Sequence, residues 1–126
     1  MFAARSHKHA DASVAENTKA RISEQDMAAL QSFPHATRVS VLQRIMQRKP
    51  AESVVLDGDN AFEKTILRLR REGYALIDLQ RQDIAFTTVW YRKGKALFGN
   101  AGSDVAMLLW EMQEPSASTT VMTWRF

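Results

Sequence analysis

The order of apolar and polar positions divides the chain into stretches of helical and of strand period. In TRVSVLQRIMQRK, from Thr37, Val41, Leu42, Ile45 and Met46 share one helical face, Arg44, Gln47 and Arg48 lie elsewhere, and Pro50 closes the element. AFEKTILRLRRE repeats the period, with Phe62, Ile66 and Leu69 on a core face and Lys64, Arg68 and Arg71 at the same spacing roughly opposite. This helix is bracketed by Asp57-Gly58-Asp59-Asn60, where Asn60 is placed to cap it, and by Gly73, where a left-handed C-terminal cap is wanted. A shorter helix, from about Glu24 to Gln31, follows the cap residue Ser23, carries a thin stripe of Met27 and Leu30, and stops at Phe33-Pro34.

YALIDL and IAFTTVWYR alternate with period two and are rich in β-branched and aromatic residues, so they predict a hairpin with its loop at Gln80-Arg81-Gln82-Asp83. Lys93-Gly94-Lys95 turns the chain into a short apolar run, Ala96 to Phe98, that can add a third strand. AESVVLD fits a short strand or one helical turn, and so few residues do not separate the two. After the break at Gly99 to Gly102, Ser103 can cap a final helix in which Val105, Leu108, Leu109 and Met112 follow the i, i+3, i+4, i+7 pattern. STTVMTWRF then reads as an edge strand or a docking segment. The first twenty residues lack apolar periodicity and read as a disordered tail, which leaves residues 21–126 as a single α+β domain.

With 126 residues, 45% of them hydrophobic, the chain closes one core and is short for two. It has no cysteine, which excludes disulfides, thiolate nucleophiles and Cys-ligated metal centres. No stretch is long and apolar enough to span a bilayer or resemble a secretory signal, so the expected location is cytoplasmic. The net charge of +3 permits a polyanionic partner without demanding one. Its distribution says more: from Ala96 to Phe126 the only basic residue is Arg125, set against Asp104, Glu111 and Glu114, so a basic body carries an acidic, apolar end.

Catalytic signals are thin. Of the three histidines, His7 and His9 fall in the tail and His35 follows Pro34 at a helix entry, so neither a triad nor a histidine metal site assembles. The carboxylates sit at caps and turns rather than paired on one buried face. GKALFGNAGSD has glycines ahead of an expected helix start, but Asn100-Ala101 stands where a phosphate-binding loop needs Lys-Ser or Lys-Thr. No cofactor, metal or catalytic residue is expected, and the reading is not an enzyme. The informative constellation is the basic stripe Lys64, Arg68 and Arg71 with Arg70 beside it, followed by a hairpin carrying Arg81 and Gln82 in its loop and Arg92, Lys93 and Lys95 beyond. Such groups pair with phosphates and base edges.

The order TRVSVLQRIMQR, short element, AFEKTILRLRREGYALI and a hairpin ending TTVWYRKGKAL resembles the winged helix-turn-helix superfamily of bacterial and phage DNA-binding proteins, over roughly residues 37–95. That resemblance implies a small winged-helix-like core over 37–98 and an extension over 99–126. It makes the helix from Asn60 to Glu72 the recognition helix and the Gln80 to Asp83 loop the wing tip. Asn60, Lys64, Arg68 and Arg71 become candidate base or backbone contacts. The chain departs from the superfamily in AESVVLD, where a second helix belongs, and in its acidic, apolar C-terminal segment. The order from Asn60 to Gln113 also resembles double-stranded RNA-binding domains, without the basic start to their last helix.

The expected function is therefore a small non-enzymatic DNA-binding regulator or accessory protein contacting duplex DNA. The rival is a protein-interaction, inhibitor or adaptor module, or a homodimer, docking through Leu109, Trp110, Trp124 and Phe126.

Overall fold

The computed structural model describes residues 22–94, 102–113 and 116–126. Three helices, α1 (Glu24–Ser32), α2 (His35–Met46) and α3 (Ala61–Arg71), accompany five strands: β1 (Glu52–Asp57), β2 (Ala75–Gln82), β3 (Ala85–Lys93), β4 (Ser103–Gln113) and β5 (Ser116–Arg125). The strands form one antiparallel sheet in the order β1-β5-β4-β3-β2. Strands β2 to β5 are a meander, and α3 carries the chain from β1 at one edge to β2 at the other.

The alternation of side chains sorts the core into two layers. Phe86 and Trp90 of β3, Leu108 and Trp110 of β4 and Val121 of β5 pack on one face against Phe62, Ile66 and Leu69 of α3, with Met27 and Leu30 of α1 beside them. Val89, Val105 and Trp124 pack on the other face against Val41 and Ile45 of α2. The expected core stripe of α3 is thus the buried one, whereas of the stripe expected in α2 Val41 and Ile45 are buried, Leu42 is half-buried and Met46, in the last turn, is 83% exposed. Ser23 caps α1 as expected: its Oγ accepts from the Asp26 amide at 3.0 Å and its amide donates to Asp26 Oδ2 at 3.2 Å. Gly73 ends α3 with φ +91°. Asn60 occupies the N-cap position of α3 without the expected side-chain cap.

One open expectation is settled and three are revised. AESVVLD, left open between strand and helix, contributes edge strand β1. The helix expected after Ser103 is strand β4, eleven residues long. Lying between β3 and β5, with both faces covered, this strand is apolar at successive positions, and a continuous apolar run satisfies a helical spacing as readily as a strand. The sheet accordingly has five strands rather than a hairpin or three strands. The hairpin turn is also tighter than expected, with Gln82 opposite Ala85 and Asp83-Ile84 turning the chain. The tail over 1–20, Lys95, the run from Ala96 to Phe98 and Glu114 lie outside the described residues.

Candidate nucleic-acid interface

The strand directions place the starts of β1, β2 and β4 and the ends of β3 and β5 at one end of the sheet. At that end Arg92, Asp104 and Arg125 face one another across three strands, on the face that α3 covers. The Arg92 guanidinium donates to Asp104 Oδ2 from NH2 at 2.6 Å and to the Glu72 carbonyl from NH1 at 2.9 Å. It also lies 4.5 Å from the centroid of the Tyr74 ring. Arg92 therefore ties the C-terminal turn of α3 to the sheet.

The Asp104 hydrogen bond holds the Arg92 guanidinium still more firmly in its charged form. Burial pushes the Tyr74 hydroxyl above its ordinary range, opposed by the positive charge of Arg92 and reinforced by the negative charges of Asp104 and Glu72. These groups, with Arg68, Arg125 and Glu52, line a polar cleft of about 230 Å³.

Arg68, Arg71, Lys93, Arg125 and Lys49 are exposed around this end, and none has a side-chain hydrogen bond or ion pair among the described residues. Lys49 belongs here because the Ala51 amide bonds the Thr123 carbonyl at 2.7 Å and the Trp124 indole donates to the Arg48 carbonyl at 2.9 Å. The opposite end is acidic: Asp57, Asp59, Asp83 and Glu111 gather around the β1 exit, the β2–β3 turn and the β4–β5 connection, with Arg81 among them. Cations are thus in excess at one end of the strand axis, where they outnumber Glu52, Glu72 and Asp104, and carboxylates at the other.

The expected contact residues divide accordingly. Lys64, Arg68 and Arg71 are exposed on the outward face of α3, and Arg92 and Lys93 lie at the basic end. Asn60, Arg81 and Gln82 lie at the acidic end, a strand length from Arg92. Nine residues of β3 separate the two ends, about 25 Å at the usual rise. Arg70 leaves the stripe altogether, because its Nε donates to the buried Asp26 carboxylate at 2.9 Å. The unmarked members of the basic end, Lys49 and Arg125, come from segments distant in sequence from α3, and only the sheet order brings them there.

The expected apolar docking face is corrected in part. Trp110 and Trp124 are core side chains, 4% and 5% exposed. Phe126 lies under the guanidinium groups of Arg44 and Arg48, 4.2 and 4.7 Å from its ring centroid. Leu109 is half-buried on the α2 face of the sheet. From the sequence, Leu109 and Trp110 are expected on a helix with one outward face and Trp124 and Phe126 in an edge strand or docking segment, whereas β4 and β5 are interior strands with side chains packed on both faces.

No protein-family model, curated protein or solved structure matches this chain. Among the described residues no cluster of His, Asp and Glu is placed to hold a metal ion, and no helix is long and apolar enough to cross a membrane.

Proposed function

We propose that the protein is a small non-enzymatic nucleic-acid-binding module that holds duplex DNA by its phosphate backbone at the basic end of the sheet. The observation carrying this reading is that Arg68, Arg71, Lys93, Arg125 and Lys49, exposed and without a side-chain partner among the described residues, outnumber the carboxylates Glu52, Glu72 and Asp104 at one end, while Asp57, Asp59, Asp83 and Glu111 lie at the other. Unpaired cations release counterions from DNA on binding, whereas Arg92, already neutralised by Asp104, serves to fix the surface that carries them. Lys64 extends the contact along the outward face of α3. The reading rests on where the charges sit and does not require a winged-helix arrangement.

The test is fluorescence anisotropy of labelled duplex DNA, single-stranded DNA and duplex RNA, each titrated across salt. Duplex DNA is expected to bind with a steep salt dependence. The Arg68→Ala, Arg71→Ala, Lys93→Ala triple variant should bind at least tenfold more weakly with a shallower salt slope, since each lost phosphate contact lowers the slope by about 0.9. Arg81→Ala, at the acidic end, should bind as the unaltered protein does. Absence of duplex binding at low salt, or an unchanged triple variant, overturns the assignment.

A further inference from the structure

The two edges of the sheet are treated differently. At the β2 edge the register slips between Leu76 and Asp78, the Arg38 Nε donates to the Ile77 carbonyl at 2.7 Å, and α1 packs alongside. A bulge, a capped carbonyl and a covering helix are the usual protections of a free edge. Among the described residues the β1 edge, from Glu52 to Asp57, has none of them. All six of its residues are exposed, Val54 and Val55 to 51% and 62%, and the strand has no proline, lysine or register shift.

The outward backbone of β1 follows from its pairing. The Gly58 amide bonds the Ala117 carbonyl in register at 3.0 Å. Even-numbered positions of β1 therefore bond β5, and the amides and carbonyls of Ser53, Val55 and Asp57 point away from the sheet.

We infer that β1 pairs antiparallel with β1 of a second copy of this chain, joining two five-stranded sheets into one. The occupant follows from the charges that flank the strand. Arg48 and Lys49 precede β1, and Asp57 and Asp59 end and follow it, so an antiparallel copy brings the basic flank of each strand to the acidic flank of the other. Outward groups meet in a register that sets Val54 opposite Val54 of the second copy and Ser53 opposite its Val55. In that register Asp57 lies opposite Ala51 of the second copy, two residues from its Lys49, and Glu52 lies opposite its Leu56 rather than a carboxylate. A parallel partner would place like charges together at both ends. Beside the strand, on the α2 face, half-buried Met122 of β5 stands opposite Ser53 and adds apolar surface next to the seam.

The inference shares only Lys49 with the nucleic-acid reading, and its test contains no nucleic acid. Sedimentation equilibrium of the full chain should give a dimer. Val55→Lys places a charge on the seam and should weaken association at least tenfold while leaving the far-ultraviolet circular dichroism unchanged. The chain has no cysteine, so Val54→Cys introduces a single thiol, and in this register the two thiols sit across a pair close enough for a disulfide. Val54→Cys should cross-link on mild oxidation, whereas Ile84→Cys, exposed at the β2–β3 turn, should not at the same concentration. A monomer up to about 100 μM, well above the usual working range of specific dimers, overturns the inference. So does a dimer that survives Val55→Lys and leaves Val54→Cys uncross-linked.

Discussion

Arg70 and Asp26, 44 residues apart, meet where α1 begins and α3 ends, with the Arg70 Nε donating to Asp26 Oδ2 at 2.9 Å. The same carboxylate closes the capping box of Ser23, so one buried acid both starts α1 and anchors α3 to it. Arg70→Ala leaves that acid without its cation, and the expected cost is roughly 1–3 kcal/mol, the range for an unsatisfied, largely buried polar group. Arg71→Ala, one position along and fully outside, should stay within about 0.5 kcal/mol. Urea denaturation of the two variants checks this. Equal midpoints would mean that the Asp26 pair contributes nothing beyond an ordinary surface contact.

The same pair shows what was legible in the sequence. Period and caps were enough for the helices: Val41 and Ile45, and Phe62, Ile66 and Leu69, are buried on the faces that their spacing predicts, and Ser23 and Gly73 act as caps. Local pattern failed where the fold depends on what lies on either side of a segment. Val105, Leu108, Leu109 and Met112 fit a helix because a central strand is apolar at odd and even positions alike. The basic stripe was visible, but not that Arg70 turns inward to an acid from another helix. Nor was it visible that the β2–β3 turn and Arg92 end up at opposite poles. Lys49 and Arg125 join the site only through the β1–β5 and β5–β4 pairings, which no spacing along the chain encodes.

Two buried threonines on the α3 face predict opposite responses to one substitution. Thr88 Oγ1 accepts from the Trp90 indole N–H at 2.8 Å, and both residues are fully buried. Thr88→Val keeps the shape but strands that donor, so a loss of about 1–3 kcal/mol is expected. Thr119 is equally buried, and its Oγ1 has no hydrogen-bond partner among the described residues. Thr119→Val removes an unsatisfied polar atom and should be neutral or stabilising by up to about 1 kcal/mol. Denaturation midpoints separate the cases, and a Thr119→Val variant destabilised as much as Thr88→Val would show that the Thr119 hydroxyl is satisfied after all.

Tyr74 gives the alkaline limb of the stability profile its sign. Burial, and then the carboxylates of Asp104 and Glu72, raise its pKa above the ordinary value near 10, against the opposing charge of Arg92. Between the unfolded and folded values the folded chain keeps a proton that the unfolded chain has released, so unfolding is favoured as pH rises there. The contribution of Tyr74 is complete below about pH 10 and declines as pH climbs through the folded value. Tyr74→Phe should flatten that decline while leaving the pH dependence below 9 unchanged. The sequence holds two tyrosines, so the difference in phenolate absorbance between the unaltered protein and Tyr74→Phe isolates this hydroxyl. Its midpoint should lie above 10, and Asp104→Asn, which removes a neighbouring negative charge and loosens Arg92, should shift it. A difference midpoint at or below 10 would mean that the ring is solvated and that the cleft beside Arg92 is open to water at its base.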